Sequence, residues 1–257
     1  MSLACPSLIG DHYPALCHAV DIYCERTTAA LDAEPVNALT NVAFLIAAGC
    51  AWRLQSGCVN PVATGLIRAL IVVTAVVGLG SFLFHTLATR WAEWGDVIPI
   101  VAFMLLFLWL VLTYFFGWFL WAKLITLLSF VAVTLYLEAA IPSAVLWGGA
   151  LYVPALFALT AVSAVLYRRQ RAAGRTMVAA TLVFVVSFTA RTLDAPICTP
   201  FPLGTHFLWH ILNALLVSPG RGCGSLHTSG HRPERAKAPH TPRYRRALTS
   251  DAGWMCA

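Results

Sequence analysis

Long apolar runs separated by short polar breaks dominate the chain from residue 36 onward. They cover about 36–54, 65–88, 96–116, 119–138, 145–167, 176–194 and 204–217. At 1.5 Å per helical residue, each of the first six can cross the roughly 30 Å hydrocarbon core of a bilayer. The seventh, about 14 residues or roughly 21 Å, is short for a crossing. No run alternates with period two, so helices rather than a barrel must satisfy the backbone polar groups. The pattern predicts an all-α polytopic membrane protein, a seven-transmembrane-helix bundle over 36–217. An acidic segment, 1–35, precedes it and a basic tail, 218–257, follows.

Composition agrees. The chain is 59% hydrophobic and 11% charged, with mean hydropathy +0.75. That excludes a disordered chain and a water-soluble globule, which carries about a quarter charged residues. The net charge of +6 is unevenly spread. Residues 1–217 hold ten basic and nine acidic groups, whereas the last forty hold seven and two. A nearly neutral body gives nucleic acid nothing to hold, so no nucleic-acid partner is expected. In a membrane protein the basic residues instead record topology. Arg53 and Arg68 bracket the first loop, Lys123 lies near the third, and Arg168, Arg169, Arg171 and Arg175 fill the fifth. These odd loops and the tail read as cytoplasmic, with the acidic N-terminus on the opposite side. Residues 1–20 lack a basic stretch followed by a long apolar run, so no cleavable signal peptide is expected.

On that topology the second run ends, and the third and seventh begin, on the outer side. The second ends GLGSFLFHTL, in which Ser81 and His85 share a face at i, i+4. Asp96 opens the third run. The seventh begins THFLWHIL, with His206 and His210 again at i, i+4. These five polar groups converge at one depth. Ionisable groups in a membrane are costly and face a bundle interior, a pathway or an ion. A single such histidine most simply bonds across helices. Two at i, i+4 with a third at the same depth beside a carboxylate suit a catalytic zinc, which takes three protein ligands and keeps one position open. The simpler role for Asp96 is a helix N-cap or first-turn carboxylate, which is compatible with a catalytic one.

The segments D-I-Y-C-E at 21–25, E-P-V-N at 34–37, G-S-F-L-F-H at 80–85 with Asp96 following, and H-F-L-W-H at 206–210 together resemble the alkaline ceramidase family. These are seven-helix zinc-dependent membrane hydrolases related to the adiponectin receptors. The resemblance covers roughly 21–213. It implies zinc held by His85, His206 and His210, Asp96 as the base that activates water, and Ser81 as the stabiliser of the oxyanion. It also implies a ceramide-like N-acyl lipid as substrate, cleaved to a fatty acid and an amine. The chemistry is coherent, because a poorly electrophilic amide needs a strong nucleophile and relief of developing charge.

Asp21, Glu25 and Glu34 offer oxygen ligands for a hard cation, and the resemblance implies calcium there. The match carries one residue more between the aspartate and the Cys-Glu pair, and Thr27 in place of an amide. The resemblance further implies a disulfide between Cys24 and Cys198. The other six cysteines read as small apolar fillers, Arg191 and Asp194 as an ion pair three apart on the sixth helix, and Trp209 as a packing residue.

After Val217 the apolar sequence stops at SPGRGCGS, where the resemblance leads one to expect more of it. A basic tail touching anionic lipid is one reading; a changed reading frame is another. His227, His231 and His240 in that tail are taken as incidental. Two other function classes remain open to the sequence: a seven-helix receptor with a structural zinc, and a proton or ion transporter using a His/Asp relay.

Overall fold

The computed structural model describes residues 5–55 and 61–217, with Pro61 and Val62 as backbone alone. The expectations for the tail, 218–257, lie outside the described residues. Among the described residues seven helices form the body. They are α1 (Pro35–Leu54), α2 (Pro61–Leu87), α3 (Arg90–Tyr114), α4 (Leu120–Ala140), α5 (Val153–Arg169), α6 (Arg171–Leu193) and α7 (His206–Val217). Among the described residues six helices are long and apolar enough to cross a membrane, and α7 is a shorter apolar helix. The chain is an all-α polytopic membrane protein.

Local chemistry explains where the helices begin and end. Pro35 opens α1 at its first turn, where a missing N–H costs nothing. The run expected at 145–167 starts later as α5, because Trp147 (φ 48°) and Gly148 (φ 72°) take left-handed conformations and break the chain ahead of it. At the far end of the fold, Gly204 (φ 68°) turns the chain into α7. The third helix begins at Arg90 rather than at Asp96. Thr89 is extended just before it, so Asp96 sits in the second turn and is not a cap. The expected N-cap or first-turn role is therefore corrected.

The bundle is apolar outside as well as inside. Leu128, Leu135 and Phe157 are among many large side chains left exposed, as a lipid-facing surface requires. Within it, Tyr152, Ala155, Phe184 and Trp209 form one packed cluster and Val111, Val162, Leu166 and Met177 another.

The N-terminal segment covers one end of the bundle. Val20 N–H donates to Ala88 O (2.8 Å) and Arg90 N–H to His18 O (3.0 Å), pairing the segment with the α2–α3 connection. Cys24 is bonded to Cys198, which anchors the segment to the α6–α7 connection. Two cysteines expected as fillers, Cys5 and Cys17, are also joined to each other, and Cys50 is disulfide-bonded. Two short helical turns, Ser7–His12 and Pro14–Cys17, fold the chain back between Cys5 and Cys17, a proximity that spacing alone does not reveal. Cys58, Cys223 and Cys256 lie outside the described residues.

Candidate metal centre

His85 sits in the last turn of α2, and His206 and His210 in the first two turns of α7. All three are buried to 2% exposure or less. Their ring centroids lie 5.1 Å (85–206), 4.8 Å (85–210) and 4.7 Å (206–210) apart. One ring nitrogen from each comes within 4.8 Å of the other two. Each ring also leaves one buried nitrogen without a hydrogen-bond partner: His85 Nε2, His206 Nδ1 and His210 Nε2. Orphaned polar atoms are costly. Three of them from one cluster fit a metal ion.

The opposite edges of two rings are fixed. His85 Nδ1 meets Glu34 Oε2 at 2.6 Å. A carboxylate only accepts, so the ring proton belongs on Nδ1 and the lone pair on Nε2. Burial alone would push the Glu34 carboxyl up; its bonds to His85 and Arg26 more than offset this and hold it below the usual carboxylate range. Thr40 Oγ1 lies 2.8 Å from Val36 O and 2.9 Å from His210 Nδ1. Because the hydroxyl proton goes to the carbonyl, the hydroxyl accepts from His210 Nδ1–H, again leaving Nε2 with its lone pair. The Tyr23 ring stacks on His206, with centroids 3.7 Å apart and planes at 21°. Such partners orient histidine ligands and fix their tautomers.

Helix α7 is held at its start by Asp194. Its Oδ1 accepts from the N–H groups of Thr205 (2.6 Å) and His206 (2.8 Å), and Oδ2 from Cys24 N–H (3.0 Å). It thus does the work of a cap and favours the positive end of the helix. Gly204 is required beside it, since a Cβ there would stand 2.1 Å from Asp194 Oδ1. The ion pair expected between Arg191 and Asp194 is corrected. Asp194 lies past the last residue of α6 and turns to α7, while Arg191 donates to Trp147 O (3.0 Å) and lies over the Tyr152 ring (5.1 Å).

Ser81 and Asp96 come together through two glycines. Pro99 has no N–H, so the carbonyl of Gly95, four residues earlier, has no helical donor. That carbonyl points at Gly80, 2.2 Å from where a Cβ would be. Only glycine permits this approach, and it sets Ser81 against the Asp96 carboxyl. Ser81 is 3% and Asp96 9% exposed, and Asp96 Oδ1 has no partner.

The acidic residues expected to bind calcium are not gathered into one cluster. Glu25 accepts backbone N–H groups from Val36 (2.7 Å) and Asn37 (2.8 Å) at the start of α1. Glu34 is engaged by Arg26, Asn37 and His85. Asp21 is exposed. Among the described residues the three-histidine group is the one arrangement of its kind. Sequence reasoning missed Arg26, Thr40 and Asp194 as supports of the site and gave Glu34 a different task. The D-I-Y-C-E and E-P-V-N segments marked the right stretch of chain without revealing which residues it serves.

Trp209, next to His210 in sequence, and Asn213, three residues past it, join the wall of a cavity of about 180 Å³ that runs on between α1, α2, α3 and α5. Its other lining residues are apolar except for Thr74.

A family model described as Ceramidase matches residues 21–224, most of the chain, and the matched span includes the three histidines, Ser81, Asp96, Glu34 and Asp194. No curated protein and no solved structure matches the chain.

Proposed function

Because this chain belongs to the ceramidase family, hydrolases of the ceramide amide bond, we propose that it is a zinc-dependent amidase working within the membrane on a ceramide-like N-acyl lipid. The observation that carries this reading is the set of three buried, unpartnered imidazole nitrogens beside the Ser81–Asp96 pair. Three imidazoles are the ligand number of a catalytic zinc site, which would keep a fourth position for water or substrate, rather than of a closed structural one. A receptor with a structural zinc would have no use for a buried, unpartnered carboxylate oxygen coupled electrostatically to His85, and a relay would string its histidines along a path instead of closing them into a triangle.

His85, His206 and His210 would hold the ion, which when bound supplies Lewis acidity and a water of lowered pKa. Asp96 Oδ1 is free to take the proton of the attacking water and return it to the nitrogen as the carbon–nitrogen bond breaks. Ser81 Oγ–H, which bonds the Asp96 carboxylate in this structure, would turn to donate to the developing oxyanion once Asp96 takes up the proton. The apolar cavity beyond Trp209 takes the acyl chain, which water would otherwise have to surround. The products are a free fatty acid and a sphingoid base or related amine. The loop charges orient the chain with the site near the non-cytoplasmic side and the end of α7 towards the cytoplasm.

Protein purified in detergent tests the reading by elemental analysis and by fatty-acid release from ceramide. One zinc per chain is expected, with release lost on chelation and restored by zinc. Full zinc loading without release from any of several N-acyl lipids would overturn it, and so would release that survives metal removal.

A further inference from the structure

The acidic segment before α1 finds a countercharge within the protein. Arg26, 8% exposed, sends Nε to Glu34 Oε1 (2.5 Å), Nη1 to the carbonyls of Thr28 (3.3 Å) and Ala30 (3.2 Å), and Nη2 to the carbonyl of His85 (2.8 Å). One carboxylate and three carbonyls thus close on one positive charge. That is the kind of oxygen set a hard cation collects. Here a guanidinium holds it, with its fork of donors spread over four acceptors in a way a point charge does not reproduce.

The arrangement bears directly on the histidine cluster. His85 is gripped at both ends by the same two residues: Arg26 holds its backbone carbonyl, and Glu34, itself fixed by Arg26, holds its ring. Asn37 Nδ2 supplies the remaining bond to Glu34 Oε2 (3.2 Å). Without Arg26 the carboxylate keeps the acceptor for His85 but loses the partner that fixes its direction. The carbonyl at the end of α2 loses its donor as well.

We propose that Arg26 is a positioning residue that acts as a built-in cation, holding Glu34 and the His85 main chain so that Nε2 faces the metal. It thereby makes an added hard cation unnecessary for turnover. This rests on the zinc reading above, and it is tested so that the two can fail separately. In the wild type, zinc content and turnover are measured with added calcium and with a calcium-selective chelator. In Arg26→Ala, zinc affinity is measured by competition with a chromophoric chelator, alone and with millimolar guanidinium or calcium.

The wild type is expected to turn over equally in both calcium conditions. Arg26→Ala is expected to bind zinc roughly 10- to 100-fold more weakly, with much of the loss reversed by guanidinium or by calcium. Arg26→Lys, which keeps the charge but not the fork, is expected to fall between the two. Wild-type zinc affinity in Arg26→Ala overturns the proposal, and so does a loss that neither cation reverses, since that marks a merely structural role. Calcium-dependent turnover of the wild type overturns it even if no Arg26 variant folds. A wild-type chain that turns over but binds no zinc defeats the metal reading instead.

Discussion

His85 Nδ1 and Glu34 Oε2 stand 2.6 Å apart across 51 residues of chain, both side chains buried. The contact ties the segment before α1 to the end of α2 and determines which nitrogen of His85 is left for a metal. Glu34→Gln keeps the shape of the side chain but removes the charge that both His85 and Arg26 use. Zinc affinity is expected to drop roughly 10- to 100-fold, read by chelator competition. Glu34→Ala also strands Arg26 as a buried, unpaired cation. It should cost about 3–5 kcal/mol of stability, measured as thermal or denaturant unfolding in detergent.

The Gly80–Gly95 crossing makes a prediction with opposite signs on its two sides. A methyl group on Gly80 would meet the Gly95 carbonyl, part of a backbone that cannot swing aside. Gly80→Ala is expected to lose about 1–3 kcal/mol. By shifting Asp96 from Ser81 it should also cut turnover tenfold or more. A methyl group on Gly95 meets open space. Gly95→Ala is expected to be neutral or to gain up to about 1 kcal/mol from helix propensity. Unfolding midpoints and fatty-acid release for both variants check this; equal effects would count against the close crossing.

Asp194 joins three backbone N–H groups from two parts of the chain, including that of His206. Asp194→Ala leaves buried donors unsatisfied, each at about 1–3 kcal/mol, and frees the first turn of α7. Loss of stability and of zinc should appear together. Gly204→Ala should mimic it in weaker form by pushing the carboxylate away. A variant that loses stability yet keeps wild-type zinc affinity would show that the start of α7 is held by something else.

Much of this was legible in the sequence, and the part that was not has one physical cause. Hydropathy marks helices because a bilayer demands long apolar runs, and i, i+4 spacing places His206 and His210 on one face whatever the rest of the fold does. The convergence of His85 followed from topology alone. Residues whose role depends on a turn were not legible. Arg26 and Glu34 act on His85 because the segment before α1 doubles back over the end of α2. Asp194 leaves Arg191 because α6 ends one residue before it. Cys5 and Cys17 meet because two short turns reverse the chain. The start of α3 was misread for a related reason: Arg90 and Glu93 form a polar first turn with their own ion pair, which hydropathy counts as loop.

Removing the metal exposes what the three orphaned nitrogens cost. A ligand present at a thousand times its dissociation constant stabilises the folded state by about 4 kcal/mol. Chelated protein is therefore expected to unfold at a clearly lower temperature than zinc-loaded protein, and to regain its midpoint when zinc is returned. His85→Ala, lacking one donor, should show little of this difference. If the midpoint of the wild type is the same with and without metal, the three nitrogens do not bind zinc with useful affinity.

The division of labour between holding and reacting groups gives the last prediction. His85, His206 and His210 point unpartnered nitrogens at one another, whereas Asp96 Oδ1 is unpartnered on a different helix, brought in by the Gly80–Gly95 crossing. If Asp96 moves the proton, Asp96→Asn preserves the volume and the zinc and removes the base. Turnover should then fall by about 10²–10⁴, mainly in kcat, with zinc stoichiometry unchanged. If Ser81 donates to the oxyanion, Ser81→Ala should lower kcat by about 10²–10³, also with zinc in place. Both variants keep the apolar cavity proposed to take the acyl chain, so KM for long-chain substrates should move little. Should Asp96→Asn instead lose its zinc, the carboxylate belongs to the metal's ligand set, and the proton must be carried by another group.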